Sequence, residues 1–350
     1  MILDDFAGPG GWSQGAKLLG LKDFGVELDE TANRTATLAG HERTTASSVT
    51  HATPPDLDGY ISSPPCVMFA ATRGKGNAAE SIPLLVNEVM RTLLGYEPTP
   101  SLHQQISDGL RFDYAVRGIS FTDESLASDT GKALLVLVPA RRIVEGQPTW
   151  IAFEQVLMVA PIWSAYARGL RLMGYQAGVV AVNAADYGCA QTRRRVILMA
   201  TRDRTCQPLS PPPPTHAKGS NTRARPKWRT MREEIGVGLT APIWSIIGSA
   251  GFGDGGDYEA KVRASLGGRN LTQAERGILQ TFPADYPWQG TLTQQRLQVG
   301  NAVPPRLAAH ILGHLTRQPS YGERIADHYA ADRAARLRKP HQRTRTRETA

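Results

Sequence analysis

The stretch that decides the fold is ILDDFAGPGGW, residues 2–12. ILDDF predicts a strand, AGPGG a tight turn and SQGAKLLGLK a helix, after which FGVELD predicts a second strand. This order is a βαβ unit, whose glycine turn lets the backbone approach a ligand and whose helix N-terminus favours a carboxylate or phosphate. The glycines are not spaced as GxGxxG, which argues against NAD. Glu27, at the end of the second strand, suits a grip on ribose hydroxyls.

Strands and helices continue to alternate along the chain. Strands are predicted at 59–62, 150–153, 176–182 and 195–201, and helices at 82–94, 161–173, 271–282 and within 298–315. The alternation predicts an α/β fold with a doubly wound, mostly parallel sheet. The polar, irregular stretch 72–130 is interpreted as a surface insertion.

Composition shifts suggest four regions. Five prolines within 208–214 mark a boundary, since proline continues neither a helix nor a central strand. We expect a catalytic, cofactor-binding domain over 1–201, a small lobe over 202–297, and a segment 298–317 that returns to the first domain. The polar, Arg-rich end, 318–350, is expected to be a disordered basic tail.

Charge and cysteine content narrow the classes of function. The chain of 350 residues has a net charge of +8, concentrated in 201–235 (eight Lys/Arg against three Asp/Glu) and 317–350 (nine against four), as expected for contacts with nucleic-acid phosphates. A membrane span and a signal peptide are not evident, which predicts a cytoplasmic protein. The three cysteines are too widely spaced for a disulfide framework or a zinc site, so we expect no metal.

Three short motifs follow predicted strands and carry reactive side chains. SPPC, residues 63–66, holds the Cys66 thiol behind two prolines at the carboxyl edge of the sheet, where open α/β sheets bind ligands. FEQV, residues 153–156, places Glu154 at the same edge, where a carboxyl can hydrogen-bond a heterocycle. QTRRR, residues 191–195, adds Arg193 and Arg195, whose guanidiniums would stabilise a thiolate or bind carbonyl or phosphate oxygens.

In this order the motifs resemble the DNA cytosine-5 methyltransferase family. The matching pieces are DDFAGPGGW, SPPC, FEQV, DYGCAQTRRRV, RNLTQAERGILQTFP and QVGNAVPPRLA. The resemblance implies a Rossmann-like sheet that binds S-adenosylmethionine and releases S-adenosylhomocysteine, with a small target-recognition lobe. It also implies double-stranded DNA as substrate, a monomer, and a role in restriction-modification or in a phage or bacterial genome.

The resemblance assigns roles to the catalytic residues. A cytosine is flipped out of the duplex, because C6 is unreachable in the base stack. Cys66 attacks C6, Glu154 engages the N3 and N4 edge, and Arg195 holds O2. Arg193 supports the cysteine or a nearby phosphate. Cofactor contacts are implied for Phe6, Gly8, Gly10, Gly11, Glu27, Leu28, Pro65, Asn301 and Val303.

Four positions depart from the family pattern. Val67 stands where Gln is usual and Gln155 where Asn is usual, while Leu28 replaces a Trp that packs on adenine and Ser48 falls near the expected adenine-binding acid. Three alternatives therefore stay open. These are an RNA cytosine-5 methyltransferase of the tRNA-modifying branch, a catalytically weak DNA-binding relic, and a small-molecule methyltransferase that shares the glycine turn.

Overall fold

A computed structural model describes residues 1–65, 68–69, 81–116, 120–203, 210–219, 225–248 and 256–338. The strands are β1 (Ile2–Asp5), β2 (Asp23–Glu27), β3 (Glu42–Thr45), β4 (Gly59–Ser62), β5 (Trp150–Gln155), β6 (Gln176–Asn183), β7 (Gln191–Thr192), β8 (Arg194–Thr201) and β9 (Ile243–Trp244). The helices before β7 are α1 (Gly11–Leu18), α2 (Glu30–Leu38), α3 (Ile82–Leu93), α4 (Leu102–Val116), α5 (Asp123–Leu134), α6 (Val138–Gly146) and α7 (Ala160–Leu172). Those after it are α8 (Met231–Ile235), α9 (Gly256–Ser265), α10 (Gln273–Leu279), α11 (Leu292–Asn301), α12 (Pro305–Leu315) and α13 (Tyr321–Arg338).

Seven strands form the main sheet in the order β3-β2-β1-β4-β5-β8-β6. The first five are parallel to one another, and β8 runs antiparallel to both β5 and β6. The α/β, Rossmann-like fold expected from the sequence is confirmed, and the four strands listed there are correct to within two residues. Since β8 is antiparallel, its first residues lie at the edge where β1, β4 and β5 end.

Hydrophobic cores lie on both faces of this sheet. Along β5, Ile151 and Phe153 belong to one core with α3, α6 and α7, and Trp150 and Ala152 belong to the other with α1 and α12. Side chains alternate between the faces of a strand, so Glu154 continues the face that carries α1 and the glycine turn.

Helices α1 and α12 are in close contact. A Cβ atom at Gly15 would lie 2.7 Å from both the Cβ of Ala308 and the carbonyl oxygen of Pro305, so a larger residue would force the helices apart. The contact fastens the segment 298–317 to the main domain. It also fixes the start of α1, and with it the glycine turn.

A third apolar cluster builds the smaller lobe. It joins α8, β9, α9 and α10, with the buried side chains Met231, Ile235, Ile243, Ile246, Val262, Leu266, Leu271 and Leu279. Ala190 and Val299 join it from either side of the predicted lobe. The domain limits proposed from the sequence remain predictions.

The interpretation of 72–130 as a surface insertion is wrong for its described helices. Ile82–Leu93 forms the predicted helix, but α4 and α5 were not foreseen. Ile106 and Leu110 of α4 and Leu126 of α5 are buried in the same core as Phe153. The helical part of this stretch therefore contributes to the core of the main domain.

The expectation of a disordered tail from 318 is also wrong as far as 338, because Tyr321–Arg338 forms α13. Ile325 is 1% exposed, and Tyr321 and Tyr329 pack on the core beneath α12. Arg336 pairs with Glu234 of the lobe at 3.1 Å (Nη2 to Oε2). The helix thus joins the main domain to the lobe. In the part of the chain that the structure describes, we find no helix with the length and apolar character to cross a membrane.

Candidate active site and cofactor pocket

The glycine turn between β1 and α1 adopts backbone conformations that suit glycine. Gly8 and Gly10 have φ angles of 54° and 98°, and Phe6 has a φ of 59°. A Cβ atom at Gly11 would lie 2.2 Å from the carbonyl oxygen of Val303. Five residues predicted to bind the cofactor are therefore brought together here.

Glu27 closes one side of this turn. Its Oε2 accepts a hydrogen bond from the backbone N–H of Gly8 at 2.8 Å, and its Oε1 accepts one from the N–H of Asp29 at 2.8 Å. Each carboxylate oxygen keeps a lone pair that can accept from a ribose hydroxyl. The adjacent Leu28 is 68% exposed, which leaves its apolar side chain available to an adenine ring.

A buried arginine fixes the loop after β3. Arg142 Nε donates to Asp5 Oδ2 at 2.9 Å, and both side chains are fully buried. The same guanidinium donates to the carbonyl oxygens of Ser48 at 3.1 Å and His51 at 2.7 Å. The Ser48 hydroxyl in turn accepts from the N–H of Phe6 at 3.4 Å. The loop expected near adenine is thus tied to the end of β1.

Sequence reasoning missed the role of Arg142. One signal was available, because the carboxylate of Asp5 in a buried strand requires a buried partner. The partner lies 137 residues later, on a helix that no motif singled out.

Two hydrogen bonds hold the loop that follows β4. The indole N–H of Trp12 donates to Ser63 Oγ at 2.9 Å. The amide Nε2 of Gln155 donates to the carbonyl oxygen of Pro64 at 2.7 Å. Gln155, one of the departures from the family pattern, therefore supports the segment that leads to the predicted nucleophile.

Of the three cysteines, one can be assessed by its surroundings. Cys66 lies outside the described residues, as do Val67 and Cys206, and Pro65 before it is half-buried. Cys189 is fully buried, and burial raises the pKa of its thiol to about 12. Its thiol therefore stays protonated near neutral pH and is a poor nucleophile.

Two predicted catalytic side chains meet at the carboxyl edge of the sheet. Arg195 Nε lies 2.8 Å from Glu154 Oε1, and the two side chains are 14% and 7% exposed. β5 carries the carboxylate and the antiparallel β8 the guanidinium, so both project where β5 ends. This ion pair lies one residue from Gln155, which binds the loop before Cys66.

Arg193 lies elsewhere. Its buried guanidinium donates from Nη1 to the carbonyl oxygens of Ile246, at 3.1 Å, and Gly300, at 3.0 Å. These contacts link β7 and β8 to the lobe and to the end of α11. The described contacts of Arg193 therefore indicate a structural joint, while its suggested support of the cysteine remains a prediction.

The returning segment places Asn301 and Val303 differently. Val303 is 3% exposed and touches the glycine turn, whereas Asn301 is exposed. Next to Asn301, a Cβ at Gly300 would lie 2.1 Å from the backbone nitrogen of Gly248, so α11 and the lobe are in direct contact there. Val303 thus joins the turn, and Asn301 lies at the border of the lobe.

The chemistry of these residues suits S-adenosylmethionine. An adenosine with a charged amino-acid end requires a helix N-terminus behind a glycine turn, an acceptor for two hydroxyls and an apolar surface. The start of α1, the Glu27 carboxylate and the exposed Leu28 offer these three features. Within the described ranges, no group of three or more His, Cys, Asp or Glu side chains is arranged to hold a metal ion.

Comparison with known proteins identifies relatives. The family model of C-5 cytosine-specific DNA methylases matches residues 122–242 and 256–317, just over half of the chain. The type II methyltransferase M.HgiDI of Herpetosiphon aurantiacus is 26% identical over 209 residues, which cover 51% of this chain and 63% of that protein. M.NgoFVII of Neisseria gonorrhoeae, also a type II methyltransferase, is 26% identical over 184 residues, or 38% of this chain and 48% of that protein.

The chain thus spans about half to two thirds of the length of these relatives. Among solved structures, the Entamoeba histolytica methyltransferase EhMeth has the same fold, with a TM-score of 0.53 at 11% identity over 90% of this chain and 97% of that one. The fold, the order of the motifs and the match over more than half the sequence agree. The chain belongs to the C-5 cytosine-specific DNA methylase family.

Proposed function

We propose that this protein transfers a methyl group from S-adenosylmethionine to carbon 5 of cytosine in double-stranded DNA. The observation that carries the proposal is the Glu154–Arg195 ion pair at the carboxyl edge of the sheet. It lies beside the loop that Gln155 holds and that leads to Cys66. A carboxyl and a guanidinium at this position offer complementary partners for the polar edge of a cytosine.

The covalent step uses Cys66. The target cytosine is flipped out of the duplex, and the thiolate adds to C6, so that the electrons of the C5–C6 double bond make C5 nucleophilic. Glu154 engages N3 and the N4 amino group and offsets the charge that develops on the ring. After C5 is methylated, its proton is lost, the sulfur–C6 bond breaks, and the aromatic ring and the thiolate return.

Arg195 positions the ring during these steps. Its Nε lies 2.8 Å from Glu154 Oε1, and a guanidinium has further donors with which to hold the cytosine O2. The ion pair also orients the carboxylate before the base arrives. Preorganised polar groups of this kind stabilise developing charge without having to reorient during the reaction.

S-adenosylmethionine, when bound, supplies the methyl group as an electrophile and becomes S-adenosylhomocysteine. The N-terminus of α1, which follows the glycine turn, would bind its amino-acid end, together with Asn301 and Val303. Glu27 accepts from the ribose hydroxyls, and Leu28 covers the adenine, while Pro65 closes the pocket. Arg142 holds the Ser48 loop beside that adenine.

The substrate of the proposed enzyme is a short DNA sequence. The predicted lobe, 202–297, is short, so we expect few base-specific contacts. The type II methyltransferases among the relatives favour a role beside a restriction enzyme. We expect the protein to act as a monomer.

Methyl transfer from labelled S-adenosylmethionine to unmethylated duplex DNA tests the proposal, with sequencing for modified cytosines. A duplex that contains 5-fluorocytosine should trap a covalent adduct, because fluorine at C5 cannot leave as the proton does. Cys66→Ser should abolish the adduct, and Cys189→Ser should leave it intact, since the Cys189 thiol is fully buried and stays protonated.

Other outcomes would select an alternative. Labelling of tRNA and not of duplex DNA would assign the protein to RNA modification. DNA binding without transfer or adduct to either nucleic acid would indicate a relic. Absence of nucleic-acid binding at low salt would favour a small-molecule methyltransferase.

A further inference from the structure

Two aromatic residues of the lobe form a stacked pair that reaches the surface. The rings of Trp244 and Tyr258 are parallel within 7°, and their centroids are 3.9 Å apart. The Tyr258 hydroxyl also accepts a hydrogen bond from the backbone N–H of Trp244 at 3.0 Å. Trp244 nevertheless remains 38% exposed. The indole is thus held in place while part of its surface stays open to solvent.

The pairing of β7 with β9 sets the direction of this indole. Gln191 and Ile243 are paired, and both are fully buried on the inner side of the lobe. Thr192 and Trp244, the next pair, project to the outer side, since side chains alternate along a strand. Arg194, two residues after Thr192 at the start of β8, is also exposed.

This outer side lies beyond the carboxyl edge of the main sheet. Val196 is paired with Gln155, the last residue of β5. Arg194 and the short strand β7 before it therefore lie past the end of β5. The next residue, Arg195, forms the ion pair with Glu154. The stacked pair therefore lies at the border between the lobe and the candidate active site.

We propose that Trp244, backed by Tyr258, is a stacking surface for a nucleobase of the bound DNA. The inference rests on the proposed function, since it takes DNA as the substrate. Every base has an aromatic face, so an exposed, rigid indole binds bases whatever their sequence. The exposed Arg194, two residues after the strand partner of Trp244, supplies positive charge for an adjacent phosphate.

Packing inside the lobe explains the Trp244–Tyr258 pair less well than contact with a nucleobase does. The interior of the lobe is filled by aliphatic side chains such as Ile243 and Ile246, which are fully buried. Trp244 projects away from them and keeps more than a third of its surface exposed. Flipping one base removes a stacking contact from each of its neighbours in the strand, and a fixed indole beside the site can replace such a contact.

The test compares Trp244→Phe with Trp244→Leu. Phenylalanine keeps an aromatic face, and leucine keeps an apolar side chain without one. We expect Trp244→Leu to weaken binding to a fluorescent duplex about tenfold by anisotropy, and Trp244→Phe to weaken it about threefold or less. Both variants should unfold in urea at similar midpoints. Equal affinities for the two variants, or a loss of affinity that follows a loss of stability, would overturn the proposal.

A second measurement needs no variant. A set of duplexes with 5-iodouracil at successive positions around the methylated cytosine should cross-link to Trp244 under ultraviolet light from positions adjacent to that cytosine. Adducts that map only to other aromatic residues would contradict the inference. If the parent protein methylates DNA and Trp244→Leu binds DNA normally, only the stacking role is rejected. A parent protein that methylates no DNA rejects the proposed function, whatever the variants do.

Discussion

Arg142 and Asp5 form an ion pair of 2.9 Å, between Nε and Oδ2, and neither side chain reaches solvent. The pair joins α6 to the end of β1, next to the glycine turn. The remaining donors of Arg142 hold the loop at Ser48 and His51. One buried side chain therefore fixes both the turn and the loop between which the adenosine is proposed to bind.

Breaking this ion pair should destabilise the protein more than a similar change one residue away. Asp5→Asn leaves the buried guanidinium of Arg142 uncompensated, and we expect a loss of about 3–5 kcal/mol in the free energy of unfolding. Asp4 is the matched control, since it is equally buried but burial raises its pKa well above the usual range. Asp4→Asn should cost about 1 kcal/mol or less. Urea unfolding measures both, and equal losses would contradict the assignment.

Gln155 should be required for catalysis through its contact with Pro64. Gln155→Leu removes the hydrogen bond to the loop before Cys66 and should lower kcat by about tenfold or more. The KM for S-adenosylmethionine should change little. Trp12→Phe, which removes the bond to Ser63, should have a smaller effect in the same direction, because Pro64 stays held. Steady-state kinetics on duplex DNA test this prediction, and an unchanged kcat in Gln155→Leu would refute the role of Gln155.

Substitution of Arg193 should lower stability, and substitution of Arg195 should lower catalysis. Arg193→Met removes the donor that binds Ile246 and Gly300 and should cost about 1–3 kcal/mol of stability, because buried carbonyl oxygens lose their partner. Arg195→Lys should leave the unfolding midpoint nearly unchanged and lower kcat by about tenfold or more, because lysine does not reproduce the planar donor set. Denaturation and kinetics on both variants test the distinction. The reverse pattern would exchange the two roles.

Acid should weaken the fold through buried histidines. Burial lowers the pKa values of His41 and His310 to about 3 from the ordinary 6.5. Between these values the unfolded chain binds protons that the folded chain does not, so stability is complete above about pH 6.5 and falls as pH decreases. For His310, the loss at pH 5 is about 2 kcal/mol. Urea midpoints at pH 7.5 and 5 should differ less in His310→Phe, and an identical difference would exclude this cause.

Truncation should distinguish α13 from the residues after it. Removal of 319–350 deletes Tyr321, Ile325 and Tyr329, uncovers the core on which they pack, and breaks the Arg336–Glu234 pair, so the melting temperature should fall by several degrees. Removal of 339–350 deletes only a basic end and should leave the melting temperature unchanged. We expect the shorter deletion to weaken DNA binding alike at all sequences and to lower its salt dependence. A changed site preference would contradict this.

The sequence was sufficient where local pattern and spacing carry the information. The strands at 59–62 and 150–153, and the position of Glu154 at the carboxyl edge, follow from apolar runs that end in polar residues at one edge of a parallel sheet. The contact of Glu154 with Arg195 does not follow in this way, because Arg195 reaches that edge only through the antiparallel direction of β8. Contacts between distant segments could not be read in this way. The partner of Asp5 lies on a helix 137 residues away, and nothing in the sequence around it specifies that contact.

The helices that were missed did have a signal. Leu102, Ile106, Leu110 and Tyr114 recur every four residues in α4, and Tyr321, Ile325 and Tyr329 do so in α13. In both cases abundant polar and charged residues suggested a surface or disordered segment, although a single apolar stripe is enough to dock a helix. Periodicity was the better guide there than composition.

The hydrogen bonds of Arg193 to the lobe and to the end of α11 should constrain which lobes this scaffold can accept. Two acceptors of its guanidinium are main-chain carbonyl oxygens, at Ile246 and Gly300, so these two hydrogen bonds do not depend on which side chains the lobe carries there. Side-chain substitutions on the lobe can therefore leave these two bonds in place, whereas an insertion or deletion that shifts the backbone at 246 would break the bond to Ile246. A hybrid that grafts a foreign lobe onto this scaffold should succeed or fail on loop length at that one position, largely independently of sequence identity.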